Sequence, residues 1–446
     1  MSTAVALIDG EHYPPVVRSA LEALAEEYHV VAAAFVGGTE KVDPASGDAY
    51  GVPVVRAATA ADALRMAIEQ YWPQVIVDLS DEPILSAADR FRLASIALEA
   101  GVTYRGADFI FTPPSASLVL QTPTLAIIGT GKRVGKTAFS AYVARHLKAS
   151  GRNVVVLAMG RGGPAEPELI RGDEVALTTE DLLALAALGK HASSDNYEDA
   201  VMSRVTTVGC RRCGGGMAGE TFFSNVEEGA RLADGLGKDL VMLEGSGAAI
   251  PPVAADATIL VVGASQGAGY IRDYFGPFRV ARADAVIIAG VGDASARAEE
   301  VAEIRSAIHE LRPDVPVVAI TLRPAPIEPV EGRRVFFATT APAAVLPTLV
   351  RYLEDTYSCT VVAASAHLSN RTLLRADLAA AVGTFDVLLT ELKAAAIDVV
   401  AAAGAEAGVP TVLCDNLPVT VDGDDIGPVI DTTVALAFER CGARSA

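Results

Sequence analysis

The sequence lacks any run of about 18 uncharged apolar residues, the minimum for a helix that crosses a membrane. The first stretch, MSTAVALIDGEHYPP, also lacks the basic segment and the cleavage site of a signal peptide. Cysteine is scarce, since the 446-residue chain has only five. An odd and small number is typical of a reduced intracellular protein rather than a disulfide-bonded one. We therefore expect a cytoplasmic protein without a membrane span.

Positive charge is also in short supply. Lysine and arginine together number 36 against 55 aspartates and glutamates, which gives a net charge of −19. A surface of this sign repels nucleic acids and acidic lipids, so we expect neither as a partner. If the protein binds phosphate groups, its cationic side chains must be concentrated in one place.

Short apolar runs alternate with helical segments along the whole chain, as in AVALIDG (4–10) and TLAIIG (124–129). This alternation is typical of α/β folds with parallel sheets. The length is enough for two or three domains. We expect a Rossmann-like domain at residues 1–120, a nucleotide-binding domain at 121–325 and a C-terminal α/β region at 326–446.

The stretch GTGKRVGKT (129–137) follows a predicted strand and begins a predicted helix, which is the setting of a phosphate-binding loop. Its spacing departs from the usual pattern G-x-x-x-x-G-K-[ST], whose first glycine would fall at Thr130. A glycine-rich turn without a ligand is the alternative, but the flanking strand and helix favour a nucleotide site. The candidate nucleotide-binding residues are Gly129, Thr130, Gly131, Lys132, Arg133, Val134, Gly135, Lys136 and Thr137.

Two side chains of this loop have chemistry suited to a nucleotide. Lys136 is placed to reach the β- and γ-phosphates, and the hydroxyl of Thr137 is placed to bind Mg²⁺. We expect a second Mg²⁺ ligand at Glu244, where the predicted strand DLVML ends in Glu-Gly-Ser-Gly. A lone glutamate at a strand end is more often a solvated carboxylate or a helix cap, but its combination with the loop favours the metal. ATP and Mg²⁺ are the expected cofactors.

Both features resemble dethiobiotin synthetase. The loop of that protein has the form G-T-x-x-x-V-G-K-T, and a later strand of it ends in V-E-G-x-G. The resemblance implies that the central domain is P-loop NTPase-like and similar to dethiobiotin synthetase.

Further stretches extend the resemblance to a particular family. Together with the loop, they resemble the cyclic 2,3-diphosphoglycerate synthetase family over residues 5–265. This resemblance implies a small-molecule substrate, 2,3-bisphosphoglycerate, which ATP activates and which closes into a cyclic pyrophosphate with release of ADP and phosphate. It also implies a homodimer. The stretches are LIDGEHYPPVV (7–17), VDLSDEP (77–83), MGRGGP (159–164), VGCRRCGGGMAG (208–219) and LEGSGAAIPPV (243–253).

Such a reaction brings roughly eight or nine negative charges into one site, so cationic side chains should gather there. Arginine suits two-pronged contacts with phosphate, although any single arginine could equally form a surface ion pair. The candidate catalytic residues are Lys132, Arg133, Lys136 and Arg161. The candidate substrate-binding residues are Arg161, Arg204, Arg211, Arg212 and His12, of which the histidine could equally be a structural hydrogen-bonding group.

Cys210 and Cys213 form a C-x-x-C pair in a glycine-rich stretch. No second pair of this kind and no nearby pair of histidines completes a zinc site. A redox motif would need a helix after it, which CGGGMAG does not favour. We interpret the pair as packing within a tight loop that supports Arg211 and Arg212, and a metal shared between subunits stays open.

Two other functions share the loop and Glu244. One is an ATP-dependent carboxylate ligase of the dethiobiotin synthetase type, which would need fewer arginines. The other is a nucleotide switch or metal-delivery GTPase, for which the C-x-x-C pair would bind metal. Such GTPases usually read guanine with N-K-x-D, and no asparagine of this chain is followed by lysine.

Overall fold

The computed structural model describes residues 1–38, 41, 49–116, 118–292, 297–421, 423 and 425–445. The chain divides into two compact units. The first unit contains residues 1–115, 268–282 and 307–313, and the second contains residues 116–267, 283–306 and 314–446. Within the described ranges, every helix is too short or too polar to span a bilayer.

The first unit is built on a six-stranded sheet with the order β3-β2-β1-β4-β5-β6. Its first five strands are parallel and β6 is antiparallel to β5. The central strand reads TAVALI because a parallel strand covered on both faces is apolar throughout. The elements are β1 Thr3–Ile8, α1 Pro14–Leu24, β2 His29–Phe35, β3 Val54–Val55, α2 Ala60–Tyr71, β4 Val75–Asp78, α3 Ala87–Glu99, β5 Thr103–Arg105 and β6 Ile110–Phe111.

The remaining elements follow from residue 124 onward. They are β7 Thr124–Gly129, α4 Lys136–Ala149, β8 Val154–Gly160, β9 Glu168–Arg171, α5 Thr179–Ala187, α6 Asp195–Ser203, β10 Thr206–Cys213, β11 Phe223–Ser224, α7 Val226–Asp234, β12 Leu240–Glu244, β13 Ala257–Gly263, a 3₁₀ turn Ala264–Gln266, α8 Gly267–Arg272, α9 Gly276–Ala281, β14 Ala285–Ala289, α10 Ala298–Leu311, β15 Val317–Pro326, β16 Arg334–Ala338, α11 Leu346–Tyr357, β17 Thr360–Ser365, α12 Arg371–Ala381, β18 Val387–Glu391, a π-helix Ala396–Ala401, α13 Ala402–Ala407, β19 Thr411–Thr420 and α14 Ile426–Ser445.

The chain returns to the first unit through α9. There Phe275, which precedes α9, packs edge-on against Phe91 of α3 and Phe111 of β6, with ring centroids 5.3 and 5.0 Å apart. Edge-to-face packing of this kind adds to the burial of apolar area.

The second unit is built on one large sheet. Its strand order is β11-β10-β8-β12-β7-β13-β14-β15-β19-β18-β16-β17, with β9 paired to β10. The seven strands from β10 to β15 in this order are parallel. Apolar side chains of α4 and α14, among them Phe139 and Ile430, pack with the central strands in one buried cluster.

The sheet reverses its direction at β15 and β19. Val317–Ile320 of β15 pairs with β14, and Ile320–Pro326 then continues beyond that strand to pair antiparallel with β19. Strand β18 pairs parallel with the far end of β19. Six residues of strand cover about 20 Å, so β15 carries the C-terminal strands beyond the first half of the sheet. The carboxyl ends of β16 to β18 therefore point back toward the carboxyl ends of β7 to β14.

Close packing around Cys210 shows how tightly the layers fit. Gly229 lies in α7, on the face that packs against β8 and β10. A Cβ atom built on Gly229 would lie 2.2 Å from Cys210 Sγ and 3.0 Å from Leu157 Cδ1. The helix lies this close to the strands because residue 229 has no side chain.

We predict that Gly229→Ala lowers the stability of the protein by about 1–3 kcal/mol, because the added methyl overpacks this contact. Gly442→Ala in α14 is the matched control, since a Cβ there meets nothing within 4 Å. That change should be neutral or gain about 0.5 kcal/mol from helix propensity. Thermal and urea unfolding of the nucleotide-free chain measure both. Adding Cys210→Ala to Gly229→Ala should recover part of the loss, and no recovery would contradict this account.

Candidate active site

Four parallel strand ends lie side by side at one edge of the large sheet. The strand order places β12 between β8 and β7, with β10 on the far side of β8. Glu244 ends β12, Arg161 follows β8, and Arg211 and Arg212 lie near the carboxyl end of β10. Neighbouring strands are about 4.8 Å apart. The structure therefore brings these residues together with the loop at 130–135 that follows β7.

The loop turns sharply before α4 begins. Arg133 has φ of 63° and Gly135 has φ of 84°, both in the left-handed region. A side chain at Gly135 would also approach Leu322 Cδ1 to 3.1 Å. Small residues and left-handed turns are the material of backbone-amide sites for anions, and the helix that begins at Lys136 adds its unpaired N–H groups.

Thr130 is anchored by a strand on the other side of β7. Its backbone N–H donates to Val261 O at 3.1 Å, and its hydroxyl donates to Gln266 Oε1. The same Oε1 accepts the N–H of Gly263 at 3.2 Å. Gln266 therefore positions the start of the loop, a role that the sequence did not indicate.

Lys136 and Glu244 form a buried ion pair, with Lys136 Nζ 2.6 Å from Glu244 Oε1. The Thr137 side chain lies beside the Glu244 carboxylate and helps to lower its pKa. Burial alone would raise the pKa of Glu244, but the Lys136 ammonium and the hydrogen bonds around the carboxylate hold it below its ordinary value. Glu244 is therefore ionised, and the two residues that we predicted as metal ligands lie together.

Helix α6 places three more carboxyl groups beside this pair. Glu198 and Asp199 are buried and Asp195 is half-buried, and their spacing puts all three on one face of the helix. Asp199 lies within hydrogen-bonding reach of Glu244. Among the described residues, no N–H or O–H group donates to either Asp199 oxygen or to Glu244 Oε2. Two carboxyls this close require a proton or a cation between them.

Burial and mutual repulsion raise the pKa of each carboxyl group of α6. Burial, followed by the charge of Glu244, raises the pKa of Asp199 well above its ordinary value. The same two causes raise the pKa of Asp195, opposed by Lys136, Lys393 and Arg161. Burial raises the pKa of Glu198 to about 8.

Lys393 reaches the same helix from the C-terminal part of the sheet. It follows β18, and its Nζ lies 3.0 Å from Glu198 Oε1. Burial opposes the charge of Lys393, but Glu198 and Glu391 raise its pKa above the ordinary value. The reversed half of the sheet therefore contributes a charged residue to the site.

The predicted arginines line the other side of the strand ends. Arg212 Nη2 donates to Ser246 O at 2.6 Å, and Arg211 Nε donates to Pro164 O at 2.6 Å. A Cβ built on Gly247 would lie 2.5 Å from Arg161 Nη2 and 3.6 Å from Arg212 Nη2. Burial, with the charge of Arg161, lowers the pKa of Arg212. Two guanidinium groups so close together favour an anion between them.

A polar cavity of about 510 Å³ lies next to these arginines. Its wall combines the turn after β8 with the N-terminal part of α6. It is lined by Gly162, Gly163, Pro164, Ala165, Glu166, Pro167, Glu168, Gly189, Lys190, His191, Ser194, Asn196, Tyr197 and Arg211.

The remaining predicted cations are divided between the two edges of the sheet. Lys132 and Arg133 are exposed on the loop. Arg204 is exposed at the end of α6, before β10 begins, so it lies at the amino edge of the sheet, opposite the loop. The structure thus does not bring Arg204 to the strand ends, because the whole length of β10 separates it from them.

His12 belongs to the first unit. Its Nδ1 lies 2.8 Å from Asp9 Oδ1 and its Nε2 lies 3.2 Å from Asp81 Oδ2. Asp9 is buried and also accepts the N–H of Asp81. Burial would raise the pKa of Asp9, but the hydrogen bonds from Asp81 and His12 hold it below its ordinary value. Both carboxylates orient the imidazole within its own unit.

Cys210 and Cys213 both lie in β10, not in a loop as we predicted, because Cys210 pairs with β8 and Cys213 pairs with β11. Cys210 is buried against Gly229, whereas Cys213 is exposed. Two residues three positions apart point to opposite faces of a strand, so the pair is not arranged for a disulfide. Among the described residues, no group of three or more His, Cys, Asp or Glu side chains is arranged to hold a metal on its own.

Several charged residues of the site escaped sequence analysis. The stretch SSDNYED matches no motif. Three acidic residues in one short helix are typical of an exposed helix. Its acidic spacing at positions 195, 198 and 199 was the available signal. Lys393 lies in no recognisable motif. Its place in the site depends on the reversal of the sheet.

Family models match nearly the whole chain. Models described as the N-terminal, P-loop and C-terminal domains of cyclic 2,3-diphosphoglycerate synthetase match residues 3–112, 124–321 and 326–417. The predicted α/β class and P-loop domain are thereby confirmed. The C-terminal match extends the resemblance beyond residue 265, where the sequence had shown little.

Curated relatives called cyclic 2,3-diphosphoglycerate synthetase are similar over almost their full length. The protein of Rubrobacter xylanophilus is 49% identical over 440 residues, covering 98% of each chain. That of Methanothermus fervidus is 47% identical over 440 residues, covering 96% of this chain and 95% of the relative. Among solved structures, LpxK from Aquifex aeolicus in complex with ATP is 14% identical, covers 72% of this chain and 90% of its own, and has a TM-score of 0.41. A likeness that distant carries no functional argument.

We predict that the nucleotide-free protein loses stability as pH rises from about 5 to about 8, partly through Glu198. The pKa of Glu198 is raised from 4.5 to about 8 by folding, so the folded state keeps a proton that the unfolded chain has released. This contribution is complete below the lower pKa and is lost as pH approaches the higher one. Glu198→Gln, which stays neutral, should flatten the fall of Tm with pH.

Calorimetric Tm values at several pH values check this expectation. Glu26→Gln, at an exposed glutamate of the first unit, is the control and should keep the wild-type slope. A wild-type slope in Glu198→Gln would show that this carboxyl does not change its protonation in the range.

Proposed function

The chain belongs to the cyclic 2,3-diphosphoglycerate synthetase family, and from this membership we propose that it is an ATP-dependent ligase that cyclises 2,3-bisphosphoglycerate. The product is cyclic 2,3-diphosphoglycerate, which contains a new phosphoric anhydride bond, and ADP and phosphate are released. The observation that carries the proposal is the buried Lys136–Glu244 pair at the phosphate loop, with Arg161 and Arg212 on the neighbouring strand ends.

The reaction needs two displacements at phosphorus. An oxygen of one substrate phosphate attacks the γ-phosphorus of ATP, the bond to the β,γ-bridging oxygen breaks, and ADP leaves. An oxygen of the second substrate phosphate then attacks the first substrate phosphorus, and the transferred group leaves as inorganic phosphate. Catalysis of such steps depends mainly on positioning and charge neutralisation.

ATP is proposed to lie at the loop formed by residues 129–137. The backbone amides of the loop and of the first turn of α4 would hold the phosphates, and Lys136 would exchange Glu244 for the β- and γ-phosphates. Because Lys136 is already at the loop and buried, this exchange needs only a change of partner. The exposed cations Lys132 and Arg133 are proposed to cover the transferred group.

The residues around Glu244 fit a Mg²⁺ ion. This ion usually takes one or two carboxylates, a hydroxyl, waters and substrate phosphates. Glu244 Oε2 is buried without a donor among the described residues, and the Thr137 side chain lies beside Glu244. These two residues would hold the ion, which when bound neutralises charge on the phosphates.

Bisphosphoglycerate is proposed to lie beside the loop, at Arg161, Arg211 and Arg212. The adjacent polar cavity of about 510 Å³ offers Lys190 and His191 as further cationic or donor groups. We propose no contact for Arg204 because of its place at the opposite edge, and His12 stays a predicted substrate ligand of the first unit.

The other expectations stay predictions. They are the homodimer, the cytoplasmic location, the absence of nucleic-acid partners and the domain limits at residues 120 and 325. The carboxylate ligase and the nucleotide switch are not favoured, because the relatives are named for the cyclising reaction.

We predict that the wild-type protein, given ATP, Mg²⁺ and 2,3-bisphosphoglycerate, forms the cyclic product, with one ADP and one phosphate per molecule. Lys136→Ala should lower kcat at least about 100-fold, as expected for the loss of a charged group that stabilises the transition state. Phosphorus NMR measures the product. Lys148→Ala is the control, because Lys148 lies on the same helix but bonds Arg204 O at the opposite edge. Turnover by Lys136→Ala at the control rate would place the nucleotide elsewhere.

We further predict that Arg161→Met raises the KM for bisphosphoglycerate about tenfold or more while the KM for ATP changes little, since a charge-assisted hydrogen bond to phosphate is lost. Arg204→Met, the same change at the far edge, should leave both constants within about twofold. Steady-state kinetics separate the two. Equal effects of the two substitutions would argue against the placement of the substrate at the strand ends.

A further inference from the structure

Lys393 stands apart from the cations discussed so far, because it comes from the C-terminal half of the sheet. The reversal at β15 and β19 points the carboxyl ends of β16 to β18 toward the phosphate loop. Lys393 lies two residues beyond the end of β18, so it projects from the facing edge. The sheet thus encloses α6 between two carboxyl edges, each bearing a lysine.

The two lysines have matching surroundings. Lys136 Nζ lies 2.6 Å from Glu244, and Lys393 Nζ lies 3.0 Å from Glu198. The carboxyl group of Asp195 is subject to the charges of both lysines, so it lies near both of them. A P-loop lysine binds the nucleotide phosphates, and Lys393 is paired with a carboxylate in the same way as Lys136.

The segment around Lys393 has an unusual backbone. Ala394 has φ of 48°, a left-handed conformation that is unfavourable for a non-glycine residue. A π-helix, Ala396–Ala401, follows directly. Strained positions and π-helical turns concentrate where a side chain must be aimed. This unusual backbone follows Lys393 directly, and the Lys393 side chain contacts Glu198 of α6.

Lys393 is also held in place from its own side. Glu391 accepts hydrogen bonds from Thr339 Oγ1 at 2.6 Å and from Thr340 N at 3.0 Å and Oγ1 at 2.6 Å. This buried carboxylate is already satisfied by neutral donors, so it steadies the ammonium without capturing it. The side chain of Lys393 is 26% exposed, so it is partly accessible from solvent.

We propose that Lys393 is a phosphate-binding residue of the acceptor substrate: it leaves Glu198 and binds one phosphate of bisphosphoglycerate, while Lys136 binds the nucleotide. The C-terminal half of the sheet thereby completes the active site. This inference rests on the proposed function, because it names a further ligand of the same substrate.

The test compares Lys393→Met, Glu198→Gln and the double variant in the full-length protein. Isothermal titration calorimetry measures the Kd of bisphosphoglycerate and, separately, of ATP with Mg²⁺. Lys393→Met should weaken bisphosphoglycerate about tenfold or more and leave ATP within about twofold, as expected for the loss of one charged contact. Glu198→Gln should bind at least as tightly as the wild type, because Lys393 loses its competing partner.

The double variant distinguishes a lysine that binds the substrate phosphate from one that serves only as the partner of Glu198. If Lys393 serves only as the partner of Glu198, replacing both residues restores wild-type affinity, and that result would overturn the inference. We expect the double variant to bind bisphosphoglycerate as weakly as Lys393→Met does. Its Tm should nevertheless return toward that of the wild type. Lys238→Met is the control, since Lys238 has a similar pair with Asp173, at 3.0 Å, before β12 begins.

The failure of the inference is distinguishable from that of the proposed function. A wild-type protein that does not bind bisphosphoglycerate overturns the proposed function and this inference with it. A wild-type protein that binds and cyclises it, together with a Lys393→Met variant of unchanged affinity, overturns the inference alone. Lys393→Arg should retain part of the affinity, because it keeps the charge.

Discussion

The site depends on the contact between the ammonium of Lys136 and the carboxylate of Glu244. Two charges leave water to form this pair, which is favourable only where the geometry is held firmly. Adjacent parallel strands, β7 and β12, hold it by placing the phosphate loop and the strand-end glutamate next to each other. The other charged groups of the site lie around this pair, whose net charge is zero.

Helix α6 adds more acid than the neighbouring cations balance. The carboxyls of Glu198 and Asp199 are buried there and that of Asp195 is partly buried, and burial favours their protonated forms. A buried group of this kind costs stability in the ligand-free protein. Enzymes commonly retain such costs where the charges serve a ligand.

Much of this could be predicted from the sequence by itself. The phosphate loop, the helix from Lys136 to Ala149 and the strand that ends at Glu244 follow from local patterns of glycine, apolar residues and charge. Parallel α/β topology also predicts that strand ends meet at one edge, which is why Arg161, Arg211 and Arg212 were rightly grouped with the loop. Local patterns could not place Arg204. A residue that precedes a strand lies at the edge of the sheet opposite the loop, and the position of Arg204 in the sequence does not show this.

Tertiary contacts determine which charged side chains of the site lie next to one another. Pairing of β15 with β19 reverses the sheet, and no local pattern specifies an antiparallel pair between strands about ninety residues apart. This reversal turns Lys393 toward α6 and makes a helix rich in acids an interior one. The sequence thus determined the elements and the nucleotide loop, because these depend on neighbouring residues. The fold determined the partners of Glu198, Asp199 and Lys393, because burial and charge pairing depend on residues brought together from distant parts of the chain.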